Sequence, residues 1–224
     1  MRKTLFMTSG LAGLAWLALT GAAGAVTIQL TPGPQNPQYF AGQAAHANGF
    51  TINGATWTNV GGTAETEKGS LANVYAAPLG MGTSQTTGTT YMAVEGGGSE
   101  MVTFATPQTS LAIYWGSIDG TAQNLNSFAI TIDGFTLTGA DLVSMHGASG
   151  DGSQTDPLAN QLVSITGLGP FTTATFTSTA NAFEFSIGAA GVPEASTWAM
   201  MGLGFAGLGY AAFRRNTKGR ALAI

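Results

Sequence analysis

Between residues 26 and 187 the chain alternates apolar and polar positions with a period of two. That period places successive side chains on opposite faces of an extended strand. It predicts strands at Val26–Leu30, Tyr91–Val94, Met101–Ala105, Gln161–Thr166, Thr172–Ser178 and Ala182–Ile187. Leu111–Ile118 is apolar almost throughout and reads as a central strand. Phe50–Asn53 and Ala55–Thr58 alternate around Gly54 and suggest a strand pair or a bulged strand. Phe128–Ile132 and Phe135–Thr138 flank Asp133-Gly134. A two-residue Asp-Gly link between alternating runs is a hairpin signal, because a type I′ turn needs positive φ at both positions. Pro32, Pro34 and Pro37 mark a loop, and residues 61–90 and 146–157, rich in Gly, Ser and Thr or Asp, read mostly as long loops. Leu71–Tyr75 is the one local candidate for a strand or helical turn in the first of these. Nine or ten short antiparallel strands make an all-β sandwich of jelly-roll-like type the expected fold.

Both ends break this pattern. Met1-Arg2-Lys3 precedes an apolar run from Leu5 to Leu19, and small residues end in Ala23-Gly24-Ala25. This is the layout of a secretory signal peptide over residues 1–25, cut by signal peptidase after Ala25. At the other end, Gly188–Gly191 forms a small linker, and Ala195–Phe213 carries no formal charge over 19 residues. As a helix that stretch would be roughly 28 Å long, about one hydrocarbon thickness. Arg214 and Arg215, then Lys218 and Arg220, form a basic cytoplasmic stop. Gly202-Leu203-Gly204-Phe205-Ala206-Gly207 has the letters of a dinucleotide fingerprint. It lacks the preceding strand and the acid about twenty residues on. Its glycines suit close helix contact in a membrane or simple tolerance of Gly there.

The array Val192-Pro193-Glu194-Ala195-Ser196-Thr197-Trp198, followed by the Gly/Ala/Leu-rich helix and Arg214-Arg215, resembles the PEP-CTERM sorting signal of Gram-negative bacteria. The common pattern continues with a second proline, where this chain has Ala195. The resemblance implies recognition by exosortase, a membrane-embedded transpeptidase-like enzyme. It implies removal of the helix near Pro193-Glu194 and delivery to the cell surface or the exopolysaccharide matrix. Val192, Pro193, Glu194, Ala195 and Ser196 are then the processing motif, within a sorting signal spanning 192–220. Trp115–Asp119 and Asn181–Phe185 are similar to segments that recur in exosortase-dependent surface proteins.

Composition narrows the chemistry. Only 8% of residues are charged, 33 are Gly and none is Cys. Disulfides, thiolate catalysis and Cys-based metal sites are excluded. Residues 26–192 hold ten acids against Lys68 alone, a charge of −9. That argues against nucleic acid, which needs a basic footprint, and against docking on anionic lipid. His46 and His146 stand apart in sequence, and Asp141, Ser144 and His146 lie in no nucleophile elbow, so no catalytic residue and no metal ligand is assigned. Glu95 and Glu100 flank a glycine turn and read as solvated strand ends, although paired carboxylates are what glycoside hydrolysis requires. Asp151–Asp156 has the composition of a calcium loop without its register, which leaves calcium as the one candidate cofactor. Trp57, Tyr75, Tyr91 and Trp115 are candidates for stacking on sugar rings if exposed, with core packing favoured for Trp115.

The expected function is therefore an exported, exosortase-sorted, non-enzymatic surface or matrix protein with a structural or adhesive role in a biofilm or cell envelope. It would pass the inner membrane, be held there by its C-terminal helix, and then reach the surface, with exopolysaccharide as a partner. The alternative is a carbohydrate- or calcium-binding sandwich, and a polysaccharide hydrolase is the third reading.

Overall fold

Asp133 and Gly134 both adopt left-handed backbone, with φ of 44° and 82°, and reverse the chain between two strands. That turn is the tip of a much longer hairpin. The computed structural model describes residues 25–119 and 128–188. Within them lie twelve strands: β1 (Thr27–Pro32), β2 (Phe50–Ile52), β3 (Ala55–Gly61), β4 (Ala64–Lys68), β5 (Thr90–Val94), β6 (Ser99–Gln108), β7 (Leu111–Gly116), β8 (Phe128–Ile132), β9 (Phe135–Thr138), β10 (Gln161–Thr166), β11 (Phe171–Ser178) and β12 (Phe183–Ile187). One helix, α1 (Gly139–His146), follows β9.

The last eight strands pair in nested fashion around the Asp133-Gly134 turn: β8 with β9, β7 with β10, β6 with β11 and β5 with β12, all antiparallel. The long hairpin is folded across two sheets. One sheet runs β1-β10-β7-β12-β5-β4 and the other β2-β3-β6-β11-β8-β9. Alternation then fills the space between them. Phe183, Phe185, Ile113, Trp115, Met92 and Val94 from the first sheet meet Trp57, Val102, Ile130 and Phe176 from the second in one core. Their polar neighbours face outward.

Two local features depart from the sequence reading, and a third is the strand pair it had offered beside a bulged strand. Residues 64–68 form the edge strand β4, not part of a loop. Its acids and threonine lack an apolar stripe, and edge strands tolerate charge because one side of their ladder is open. The helix α1 is capped by local chemistry instead of periodicity. The Thr138 hydroxyl accepts from Asp141 N–H, the Asp141 carboxylate accepts from Thr138 N–H at 2.8 Å, and Gly147 closes the C-terminal end at φ 75°. The Asn53-Gly54 link, at φ 51° and 74°, makes β2 and β3 a hairpin of the same kind as β8 and β9. Among the described residues no helix is long and apolar enough to cross a membrane.

Candidate functional site

The outer face of the first sheet holds the polar side chains that a sandwich would normally leave in water. Glu65 and Glu67 of β4, Tyr91 of β5, Glu184 and Ser186 of β12 and Tyr114 of β7 alternate with the core residues of their strands. Most of them are buried, because the segment between β4 and β5 folds back over the sheet. Tyr75, Ala77 and Met81 of that segment pack on Tyr91, Ala93, Tyr114 and Ala182 as a second, smaller core. The sheet's own side chains pin the cover. Tyr91 Oη donates to Gly69 O at 2.5 Å, and Tyr114 Oη donates to Leu79 O at 2.7 Å. Glu184 Oε1 accepts from Ala76 N–H at 2.7 Å, and Asn160 Oδ1 accepts from Leu79 N–H at 3.0 Å.

Beside this cover opens a cleft of about 720 Å³, lined among others by Asn73, Ser117, Asp119, Gln154, Asn181 and Glu184. The volume lies in the range of small-ligand sites. Glu184 is 2% exposed, and its second oxygen has no hydrogen-bond partner. Burial raises its pKa well above the ordinary carboxylate value, so the neutral acid is favoured and can donate as well as accept. Burial, and then the charge of Asp151, raise Asp119 in the same direction. Gly152, left-handed at φ 65°, makes room for the Asp119 carboxylate, which occupies the place a Cβ would take. The cleft thus offers two carboxyl groups, three side-chain amides and several hydroxyls, a set suited to hydrogen-bonding a polyhydroxylated ligand.

A second constellation lies at the β4 edge. His46 Nδ1 is 3.0 Å from Glu65 Oε1 and 2.9 Å from Glu67 Oε1. Among the described residues these three form the one group of ligating side chains whose donor atoms all lie within 4.8 Å of one another. His46 is exposed, Glu65 half-buried and Glu67 buried. Hydrogen bonding to Glu65, and then the charge of Glu67, raise His46 above the ordinary imidazole value. Burial raises Glu67, and His46 partly offsets it. The Tyr75 hydroxyl lies beside Glu67, and burial with that neighbouring acid pushes Tyr75 up to about 12.

Residues 191–216 match the family described as the PEP-CTERM protein-sorting motif. The chain carries a PEP-CTERM sorting motif. Such a motif marks an exported protein for exosortase and for the cell surface or extracellular space. The motif begins four residues after β12 ends at Ile187. No curated protein and no solved structure matches the chain.

The PEP-CTERM residues Val192, Pro193, Glu194, Ala195 and Ser196, the stop residues Arg214 and Arg215, the helix at 195–213 and the cleavage-site residue Ala23 lie outside the described residues. Ala25 is the first described residue and is exposed. Within the sandwich the structure separates the sequence candidates. Glu100 is not a solvated strand end. It is fully buried beside Val102 on the inner face of β6, both oxygens lack partners, and burial pushes its pKa up to about 8. Trp57, Tyr91 and Trp115 are 0% exposed and Tyr75 is 7% exposed, so none of the four presents a ring for stacking on sugar. Asp141 serves the α1 cap, with His146 in the last turn of that helix. The oxygens of the Asp151–Asp156 loop bind their own backbone, Asp151 Oδ1 accepting from Ser153 and Asp156 Oδ1 from Leu158. Sequence reasoning passed over Glu184 and Glu67. The signal for Glu184 was a lone acid between Phe183 and Phe185 in a chain with few charges. For Glu67 it was the Glu-Thr-Glu alternation that puts two acids on one strand face.

Proposed function

We propose that this chain is an exported surface or matrix protein, released by exosortase from a transient anchor at residues 195–213, whose jelly-roll-like sandwich serves a structural or adhesive role and not catalysis. The observation that carries it is the sorting motif at residues 191–216, placed directly behind the last strand of the sandwich. In this reading signal peptidase cuts after Ala25 and the inner membrane holds the helix until processing. Arg214 and Arg215 stay on the cytoplasmic side, and the sandwich then associates with exopolysaccharide at the Gram-negative cell surface. The nested pairing from β5 to β12 supports the jelly-roll assignment. The test is the intact mass of the exported protein from hosts with and without exosortase. Loss of the helix and basic tail only where the enzyme is present supports the reading, and their persistence in the exosortase-positive host as well as in the negative one overturns it.

The cleft favours a second reading, a carbohydrate- or calcium-binding module sorted by the same route. Its amides and the Asp119 and Glu184 carboxyls are the support. The same two carboxyls are what a polysaccharide hydrolase would need. Against that use, Glu184 is fixed to Ala76 N–H and holds the cover in place. Binding of the host exopolysaccharide, measured with and without calcium alongside release of reducing ends, separates the three readings.

A further inference from the structure

We propose that His46, Glu65 and Glu67 form a binding site for a divalent transition-metal ion, with zinc as its representative. The site lies at the β4 edge and is independent of the sorting route and of the cleft.

The backbone assembles it. Glu65 and Glu67 share the outer face of β4, with Thr66 between them turned inward. The residues around His46 cross that edge and are tied to it mainly at Thr66. His46 N–H donates to Thr66 O at 2.6 Å, Thr66 N–H donates to Ala47 O at 2.8 Å, and the Thr66 hydroxyl donates to Ala44 O at 2.7 Å. These bonds hold His46 in left-handed backbone, φ 59°, an uncommon conformation for a non-glycine residue. They set its ring between the two acids.

The polar atoms are left over-subscribed. One imidazole nitrogen faces two carboxylate oxygens at 2.9 and 3.0 Å, and a single N–H serves only one of them. Glu65 makes the hydrogen bond. Glu67 Oε1, on a side chain only 2% exposed, has no hydrogen-bond partner and points into the same space. A cation satisfies all three groups at once. Oxygen and nitrogen ligands around zinc sit at about 2.0–2.2 Å, which in a tetrahedron puts adjacent donors about 3.3–3.6 Å apart, so the three groups open by a few tenths of an ångström to admit the ion. One imidazole with two carboxylates suits zinc or manganese. The Tyr75 ring packs next to Tyr91 at the inner end of this group, with its hydroxyl on the Glu67 side. The exposed side of His46, 65% open, gives the ion an entry path and leaves room for water ligands. A proton on His46 is the rival occupant.

The full exported protein, stripped with a chelator, is titrated with zinc chloride at neutral pH by calorimetry. One ion is expected per chain, with a rise in melting temperature. His46→Asn, which keeps a residue tolerant of left-handed backbone, and Glu67→Gln, which keeps the shape, are each expected to weaken binding by about 10-fold or more. His146→Asn, at the other histidine, is expected to leave it unchanged. Circular dichroism without zinc verifies that each variant is folded, and the exposed His46 variant carries the test if Glu67→Gln does not fold. Absence of stoichiometric binding, equal binding by wild type and H46N, or an equal loss in H146N overturns the proposal.

Discussion

Phe176 and Phe185 stack with ring centroids 4.1 Å apart and planes 19° from parallel, yet they belong to different sheets. Phe176 lies on β11 and Phe185 on the next strand, β12, so the pair closes the sandwich beside a four-residue connection between its layers. Trp57 adds a further ring against each of them. Both phenylalanines are fully buried. Phe185→Ala is expected to cost about 3–5 kcal/mol, measured as the change in denaturant midpoint at constant slope. A change below 1 kcal/mol, on the order of an exposed-site substitution, would contradict the packing described.

Glu100 makes stability depend on pH. Its folded pKa is raised from 4.5 to about 8, so the folded state holds the proton more tightly than the unfolded chain. Stability is therefore fully present below the unfolded value and is lost as pH rises towards 8. Glu67, Glu184 and His46 are raised too and tilt the curve the same way. Glu100→Gln removes one contributor. The melting temperature of the variant is expected to gain on that of the wild type progressively across this interval, and a constant gap would refute the burial of an acid here.

The turn glycines separate backbone strain from collision. A Cβ on Gly134, at φ 82°, meets nothing within 4 Å, so Gly134→Ala is expected to cost only the left-handed penalty of about 1–2 kcal/mol. At Gly98 the same atom would strike the backbone oxygen of Thr63, and Gly98→Ala is expected to cost more. Equal losses in thermal unfolding would show that the two turns are not held as described.

Glu184 fastens the cover of the first sheet through the Ala76 N–H. Glu184→Ala leaves that buried N–H unpaired, a loss of about 1–3 kcal/mol. Limited proteolysis is expected to cut between residues 70 and 79 faster in the variant, while Glu184→Gln, which keeps an acceptor, remains near wild type. Unchanged cleavage in E184A would remove the acid from its anchoring role.

Exchange of Pro193 and Glu194 together for Ala tests the sorting motif itself. The uncleaved form is expected to accumulate in the membrane fraction of an exosortase-positive host, read by mass and fractionation. Normal release would separate the motif from processing.

The strands that carry the core were legible because alternation reports which face is buried. β7, β11 and β12 emerged nearly to the residue. Alternation does not report which strand is the neighbour, so the nesting around Asp133-Gly134 needed the structure. β4 escaped because its buried positions include Thr66 and Glu67, covered by distant segments instead of by apolar partners. The site was less legible for the same reason. His46 and Glu65 are 19 residues apart and meet only through the backbone ties of Thr66. Glu184 is enclosed by the segment between β4 and β5, which alternation along β12 does not report.

β12 is last among the described strands but sits inside its sheet, bonded to β5 on one side and β7 on the other. Any load applied through the C-terminus therefore enters the middle of a layer. It must shear two ladders together instead of peeling one edge open. A pull on Ile187 is thus shared between β5 and β7.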